Sequence, residues 1–380
     1  MIDLTKITTP AYVLDEALLR KNLELMQRVK TETGVHIIVA LKGFAMWSAF
    51  DLVRQYLDGS TASGAFEARL GFEEMKKLAH TYAAAFAADE FGEVMRYSSH
   101  ISFNSMRQFE QFYPSVKAHK KHKISCGLRV NPEYSVVETD LYNPGIAGSR
   151  LGMDIRYLPE TLPEGVEGIH VHVLCESSAD DTEGLLAVVE SKFGKYLNTL
   201  KWLNLGGGHL MTKDGYDVEH LIKVLKTFKQ KYPNLDVILE LGSAVAWNTG
   251  VLVSKVLDIV ENHGVKTLMV DVSFTAHMPD TLEMPYRPRI TGASDAVEGK
   301  PTYRLGGTSC LSGDYMDEYS FENDVKVGDI VVFEDMIHYT MVKTTLFNGV
   351  THPSIAIWTE QNEMKVVRKF SYKDYKNRLS

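Results

Sequence analysis

The chain has 380 residues, 44% hydrophobic and 24% charged, a composition that excludes disorder, collagen and coiled coil and leaves room for one large domain with a smaller companion. Lys and Arg number 41 against 49 Asp and Glu, a net charge of −8, so neither nucleic acid nor an anionic membrane surface is expected as a partner, and a cationic ligand suits the charge better. Cys126, Cys175 and Cys310 are an odd number without metal-ligand spacing, which argues against a metal site or a disulfide framework. The first residues lack the basic start and apolar run of a signal peptide, and no apolar stretch reaches the roughly 18 residues of a membrane helix, so a cytoplasmic protein is expected.

In chain order, Ala11-Tyr12-Val13-Leu14 reads as a strand, and Asp15 as the N-cap of a helix whose stripe is Leu18, Leu19, Asn22, Leu23, Met26 and Val29, with Gly34 as its stop. Apolar runs then alternate with amphipathic stretches, at 36–41, 56–62, 82–87, 100–103, 124–131, 166–174, 202–206 and 237–240. About eight such runs are what a (β/α)8 barrel needs, and runs apolar on both faces, such as Ile37-Ile38-Val39-Ala40, fit parallel strands covered by helices. A doubly wound open sheet is the competing architecture. After Gly250 the pattern turns to β-rich runs at 251–260, 267–274, 329–333 and 354–358, separated by turns such as Asn262-His263-Gly264 and without clear helices. The expectation is an α/β barrel over 21–248 and a β-sandwich or β-barrel domain built from 1–20 and 249–380.

Barrel sites gather where the strands end, so the reactive residue after each run is the informative one. Lys42 closes the first run beside Gly43-Phe44; a desolvated lysine is partly neutral and can form a Schiff base, although a lone lysine commonly does no more than cap a strand. His170-Val171-His172 puts two imidazoles on one face of a strand, readable as a core pair, as metal ligands lacking a third partner, or as a face for stacking on an aromatic cofactor. Gly206-Gly207-Gly208 is either a flexible turn or a nest of unshielded N–H groups for a phosphate. Glu240 could meet a ring nitrogen or form a structural pair with Arg129 at the end of another run. Lysine for an imine, glycines for phosphate, a histidine for stacking and a carboxylate for a pyridine nitrogen together describe pyridoxal 5′-phosphate (PLP).

In this order along barrel strands, these residues resemble the barrel-type PLP decarboxylases that include ornithine, arginine and diaminopimelate decarboxylases, from Thr9-Pro10-Ala11-Tyr12-Val13 to Phe347-Asn348-Gly349. By that resemblance Ala40-Leu41-Lys42 is similar to the Schiff-base motif, the three glycines to the phosphate-binding loop, His172 to the stacking imidazole, Glu240 to the pyridinium partner and Arg129 to the arginine behind it. Gly307-Thr308-Ser309-Cys310 followed by Asp314 resembles the segment that reaches into the partner's site in a homodimer with shared sites; Tyr339 resembles the tyrosine near the phosphate.

Two departures narrow the branch. The family's E-P-G-R is Glu240-Leu241-Gly242-Ser243 here, so its phosphate-binding arginine is missing and Gly242 and Ser243 stand at the cofactor instead. The family's H-x-G-S is His172-Val173-Leu174-Cys175, followed by Glu176. With Lys42-Gly43-Phe44-Ala45-Met46-Trp47, these resemble the carboxynorspermidine/carboxyspermidine decarboxylase branch. The resemblance implies a cationic carboxy-polyamine substrate, Cys310 as proton donor, and carboxylates for the cationic tail. Asp314 and Asp280 are favoured, with Glu176, Asp180 and Asp181 as further candidates. Diaminopimelate or basic amino-acid decarboxylation and a non-catalytic PLP-binding barrel are the alternatives.

Overall fold

The structure, a computed structural model, describes residues 2–137, 139–283 and 286–380. It divides into two compact units, Arg20–Val245 and, separately, the residues up to Leu19 with Ala246–Ser380. Strand β1 (Ala11–Asp15) belongs to the second unit. The first unit is a closed parallel barrel of eight strands: β2 (His36–Ala40), β3 (Ser60–Ala62), β4 (Ala79–Tyr82), β5 (Ser98–Phe103), β6 (Ser125–Arg129), β7 (Val166–His170), β8 (Trp202–Asn204) and β9 (Asp236–Leu241). Closure comes from pairing β2 with β9, Ile38 opposite Glu240. An open sheet is excluded.

Packing inside the barrel explains two of its glycines. The Trp202 indole fills the space beside β6 and β7, where a Cβ on Gly127 or Gly168 would collide with it, and its Nε1 donates to Ser125 Oγ at 2.9 Å. His80 and His100 lie in the same interior with ring centroids 3.9 Å apart and planes tilted by 30°. Outside, helices bury one stripe each; Val218–Lys231 hides Leu221, Ile222, Val224, Leu225 and Phe228. Helix Glu16–Thr33 begins at Asp15, whose Oδ1 accepts from Ala17 and Leu18 N–H, and stops at Gly34 in the left-handed region (φ +71°). Of its stripe, Leu19, Leu23, Met26 and Val29 are buried, while Leu18 is exposed.

Three segments differ from the sequence pattern. The run at 82–87 is mostly not strand: β4 ends at Tyr82, and Phe86 turns outward to pack on Phe91, Phe103 and Phe112, so its apolar character serves the helical layer. Tyr56 ends helix Phe50–Tyr56 rather than opening β3. Between β6 and β7 the described residues hold only the short turns Asp140–Tyr142 and Ile155–Tyr157, because Pro132, Pro144 and the glycines at 145, 148 and 152 break any longer helix.

The second unit is a mixed nine-stranded sheet. It comprises β1, β10 (Gly250–Asn262), β11 (Val265–Val270), β12 (Ala293–Asp295), β13 (Thr302–Gly306), β14 (Tyr315–Phe321), β15 (Ile330–Glu334), β16 (Ser354–Trp358) and β17 (Met364–Arg368). The 13-residue β10 runs through both halves, pairing with β1 and β15 first and, past an irregularity between Val256 and Asp258, with β11. His263 and Gly264 supply the two positive φ values that a tight β10–β11 hairpin requires. The unit also contains short helices, Phe274–His277 and Asp280–Glu283, and a capped helix Tyr372–Leu379, none of which the β-rich pattern indicates.

Candidate active site

At the C-terminal ends of the barrel strands the chain brings together Lys42, Arg129, His172, Gly206, Gly207, Gly208 and Glu240. Lys42 Nζ lies 3.1 Å from His172 Nε2. The tautomer follows from the other ring nitrogen: Gly207 N–H donates to His172 Nδ1 at 2.9 Å, so Nδ1 carries no hydrogen. Burial holds His172 well below the ordinary histidine pKa, so the ring is neutral and its hydrogen sits on Nε2. An Nε2–H facing Nζ at 3.1 Å favours the neutral form of the lysine. Burial independently lowers the Lys42 pKa, against the opposing pull of Glu240; the side chain is reachable from the mouth, but protein surrounds the amine closely.

Glu240, 7% exposed, has Asn204 Nδ2 donating to its Oε1 at 2.7 Å, and Thr61 also hydrogen-bonds to it. Burial raises its pKa, opposed by Asn204, Lys42, Thr61 and Arg129. The structural pair with Arg129 does not form. Arg129 Nη2 donates instead to the His172 carbonyl at 2.9 Å, and its guanidinium lies 4.3 Å from the centre of the Tyr82 ring. A buried carboxylate without Arg or Lys at ion-pair distance invites a cationic N–H from a ligand.

The glycines work partly as expected. Gly206 and Gly208 have φ of +69° and +95°, and a Cβ on Gly207 would come within 2.6 Å of the Glu240 carbonyl. Only glycine therefore lets this loop close against the ends of β7 and β9. Gly206 N–H goes to Asn204 Oδ1 and Gly207 N–H to His172 Nδ1, leaving Gly208 N–H without an acceptor among the described residues. One donor of the nest is thus open to a phosphate rather than three. Gly242 and Ser243 follow β9, with Gly242 O accepting from Val245 N. Glu176 is exposed at φ +46°; Asp181 is spent on a capping box with Ser178, and Asp180 faces His220 at 3.2 Å.

In the sheet unit Cys310 is exposed, with its N–H on Asn348 Oδ1 at 2.7 Å. Asp314 lies in the loop that follows Cys310. It is 4% exposed, and its two oxygens accept from the N–H groups of Thr275 and Ser309, each at 3.0 Å, so its charge orders the loop that carries Cys310. Asp280 is buried, accepting from Thr340 Oγ1 at 2.6 Å and Tyr286 OH at 3.1 Å, while Oδ1 has no hydrogen-bond partner among the described residues. Tyr339 sits at φ +39°, edge-on to His338. Asn204, Thr61 and Tyr82 escape the sequence reading; the available signal was a polar residue inside or at the end of an apolar run, as in Trp202-Leu203-Asn204-Leu205.

A lysine amine of lowered pKa, an imidazole beside it, a buried carboxylate without an Arg or Lys at ion-pair distance and an open backbone N–H fit PLP, and on a closed parallel barrel they define a barrel-type PLP enzyme. Residues 11–337 match the family model described as "Pyridoxal-dependent decarboxylase, C-terminal sheet domain", and the chain belongs to that family of PLP-dependent decarboxylases. It is 47% identical to a carboxyaminopropylagmatine decarboxylase of Synechocystis sp., covering 99% of this chain and 96% of that one. A carboxynorspermidine/carboxyspermidine decarboxylase of Campylobacter jejuni is 46% identical over 97% of this chain and 98% of its own. The crystal structure of C. jejuni carboxynorspermidine decarboxylase complexed with norspermidine superposes with a TM-score of 0.90 at 44% identity, covering 98% of this chain and all of that one. A non-catalytic PLP-binding barrel is thereby set aside.

Proposed function

We propose that this decarboxylase removes CO2 from a carboxylated polyamine, carboxynorspermidine or carboxyspermidine, leaving norspermidine or spermidine. The observation that carries the chemistry is the Lys42–His172 contact of 3.1 Å with Nδ1 of the ring already occupied by Gly207, because it favours a neutral amine at the barrel mouth. When bound, PLP supplies an aldehyde for an amine and a ring that draws off the electron pair left by departing CO2. Lys42 presents the lone pair that captures the aldehyde. His172 would stack on that ring, its carbonyl held by Arg129, which in turn rests on Tyr82. Glu240, steadied by Asn204, holds a proton at the ring nitrogen. Gly208 N–H, Gly242 and Ser243 would take the phosphate in place of the missing arginine.

Cys310 delivers the proton to Cα, and we assign it to the neighbouring subunit's site in a cytoplasmic homodimer. Its exposure and the loop ordered by Asp314 support this reading. Asp280, with one buried oxygen unpaired, and Glu176 are the carboxylates we assign to the cationic tail. The two relatives at 46–47% identity support the substrate class. One of them acts, by its name, on an agmatine derivative, which makes a guanidinium-ended tail the second reading.

Product identification decides among these. The holoenzyme is incubated with carboxynorspermidine, carboxyspermidine, carboxyaminopropylagmatine and diaminopimelate. The carboxy-polyamines should exceed diaminopimelate in kcat/KM by at least about a hundredfold, roughly 2.7 kcal/mol, because no arginine is assigned to the second carboxylate of diaminopimelate, and its burial without a cationic partner is costly. Equal rates on diaminopimelate refute the substrate reading and leave the decarboxylase chemistry standing.

A further inference from the structure

His170 lies next to this site, and no step above uses it. It ends β7, is 2% exposed, and neither ring nitrogen has a hydrogen-bond partner among the described residues. A fully buried imidazole with two idle nitrogens is uncommon, because each has given up water for nothing. Its neighbours come from four strands. Tyr82 stands edge-on at 5.3 Å from the end of β4, the His172 ring beyond β7 lies nearly parallel at 6.5 Å, Arg129 closes β6, and Glu240 Oε2 on β9 is 3.6 Å from Nε2. Lys42 adds an amine from the end of β2. Burial, reinforced by Arg129, keeps the ring neutral, so it owns one N–H whose place on the ring is open. Glu240 Oε1 is already taken by Asn204, and Oε2 faces His170.

We propose that His170 is a positioning residue for Glu240: its neutral imidazole turns Nε2–H toward Oε2 and, with Asn204 on Oε1, clamps the carboxylate ionised and aimed at the cofactor's ring nitrogen. The contact closes from 3.6 Å to hydrogen-bond length with a movement of about 0.6 Å. The inference rests on the reading of Glu240 as the ring-nitrogen partner and supplies a donor that opposes the upward shift burial imposes on that carboxylate. Each donor to a carboxylate weakens its hold on a shared proton, and His170 adds one to those of Asn204 and Thr61. Removing the His170 donor therefore moves the proton from ring nitrogen toward Glu240 and weakens the electron sink.

The test uses holoenzyme loaded with PLP labelled at the ring nitrogen and followed by nitrogen NMR, beside steady-state kinetics. His170→Phe keeps the planar ring and loses the N–H. Its cofactor signal should move toward the unprotonated position, and kcat should fall about tenfold with KM unchanged. His170→Gln, which retains an N–H donor, should recover most of both. An unshifted signal and kcat within about twofold of native in His170→Phe overturn the inference. Should His170→Phe not fold, native enzyme carrying nitrogen-labelled histidine gives the answer directly. The His170 resonance, assigned by its loss in His170→Gln, must report the Nε2–H tautomer, and an Nδ1–H tautomer refutes the clamp. Glu240→Gln separates the two levels: a ring nitrogen still protonated there overturns the reading of Glu240 itself, whereas a shift there with none in His170→Phe overturns only the role of His170.

Discussion

Asn204 joins the two halves of the barrel site, so its truncation is a sharp test of the geometry. The side chain is 2% exposed; Nδ2 donates to Glu240 Oε1 at 2.7 Å, and Oδ1 accepts from Gly206 N–H at 2.8 Å. Asn204→Ala removes both. A hydrogen bond to a charged group contributes about 1.5–3 kcal/mol and a neutral one about 0.5–1.5 kcal/mol. Both orphaned partners stay buried, so the expected loss is about 3 kcal/mol. With a urea slope near 3 kcal/mol per molar for a unit of this size, the barrel transition of the apoprotein should move down by about 1 M. Urea titration followed by far-UV circular dichroism reads the shift. Asn204→Asp adds a sign to the test. A second carboxylate beside Glu240 forces one of the two to hold a proton in the folded state. The folded protein then binds more protons than the unfolded chain, and stability falls as pH rises above the ordinary carboxylate range. A midpoint within about 0.2 M of native for Asn204→Ala, or an Asn204→Asp variant with native pH dependence, refutes the assigned hydrogen bonds.

Borohydride reduction of the holoenzyme followed by peptide mapping should place the pyridoxyl label on Lys42, and a label on another lysine refutes the site. Lys42→Ala and Cys310→Ala, each inactive alone, should regain partial activity on mixing because some heterodimers hold one intact site, and no recovery despite demonstrated subunit exchange rules out sharing. His209 and His100 are held at a pKa of about 4 by burial, so the folded barrel binds fewer protons than the unfolded chain between about pH 6.5 and 4. Stability is therefore lost as pH falls through that window, by up to about 3 kcal/mol for the fully buried His209, and His209→Gln should show a shallower pH slope in urea titrations; an unchanged slope is the refuting result. Asp314→Ala frees the N–H groups of Thr275 and Ser309 and should lower kcat while making residues 307–314 protease-sensitive. A raised KM for the polyamine with a loop as resistant as native would return Asp314 to the substrate.

Lys42, His172, Glu240 and the glycine run are legible in the sequence for one physical reason. Parallel barrel strands are apolar on both faces, so a reactive or glycine residue that ends such a run stands out, and it stands where barrel chemistry gathers. The same logic misplaced β4, since Ala83-Ala84-Ala85-Phe86-Ala87 is apolar for the sake of the outer helical layer. It also offered Arg129 to Glu240, although Arg129 spends its donor on a carbonyl and its face on Tyr82. Which groups meet across the barrel is decided by closure, which sets Ile38 opposite Glu240 some two hundred residues away, and no local pattern carries that register. Asp314 makes the same point in the sheet unit: its acidic identity is plain in the chain, but only the folded loop directs its two oxygens to the N–H groups of Thr275 and Ser309. Residue type and spacing therefore determined which chemistry the chain can carry, while the tertiary structure decided the partner, tautomer and charge of each group, because those depend on neighbours drawn from distant strands and on the loss of water around them.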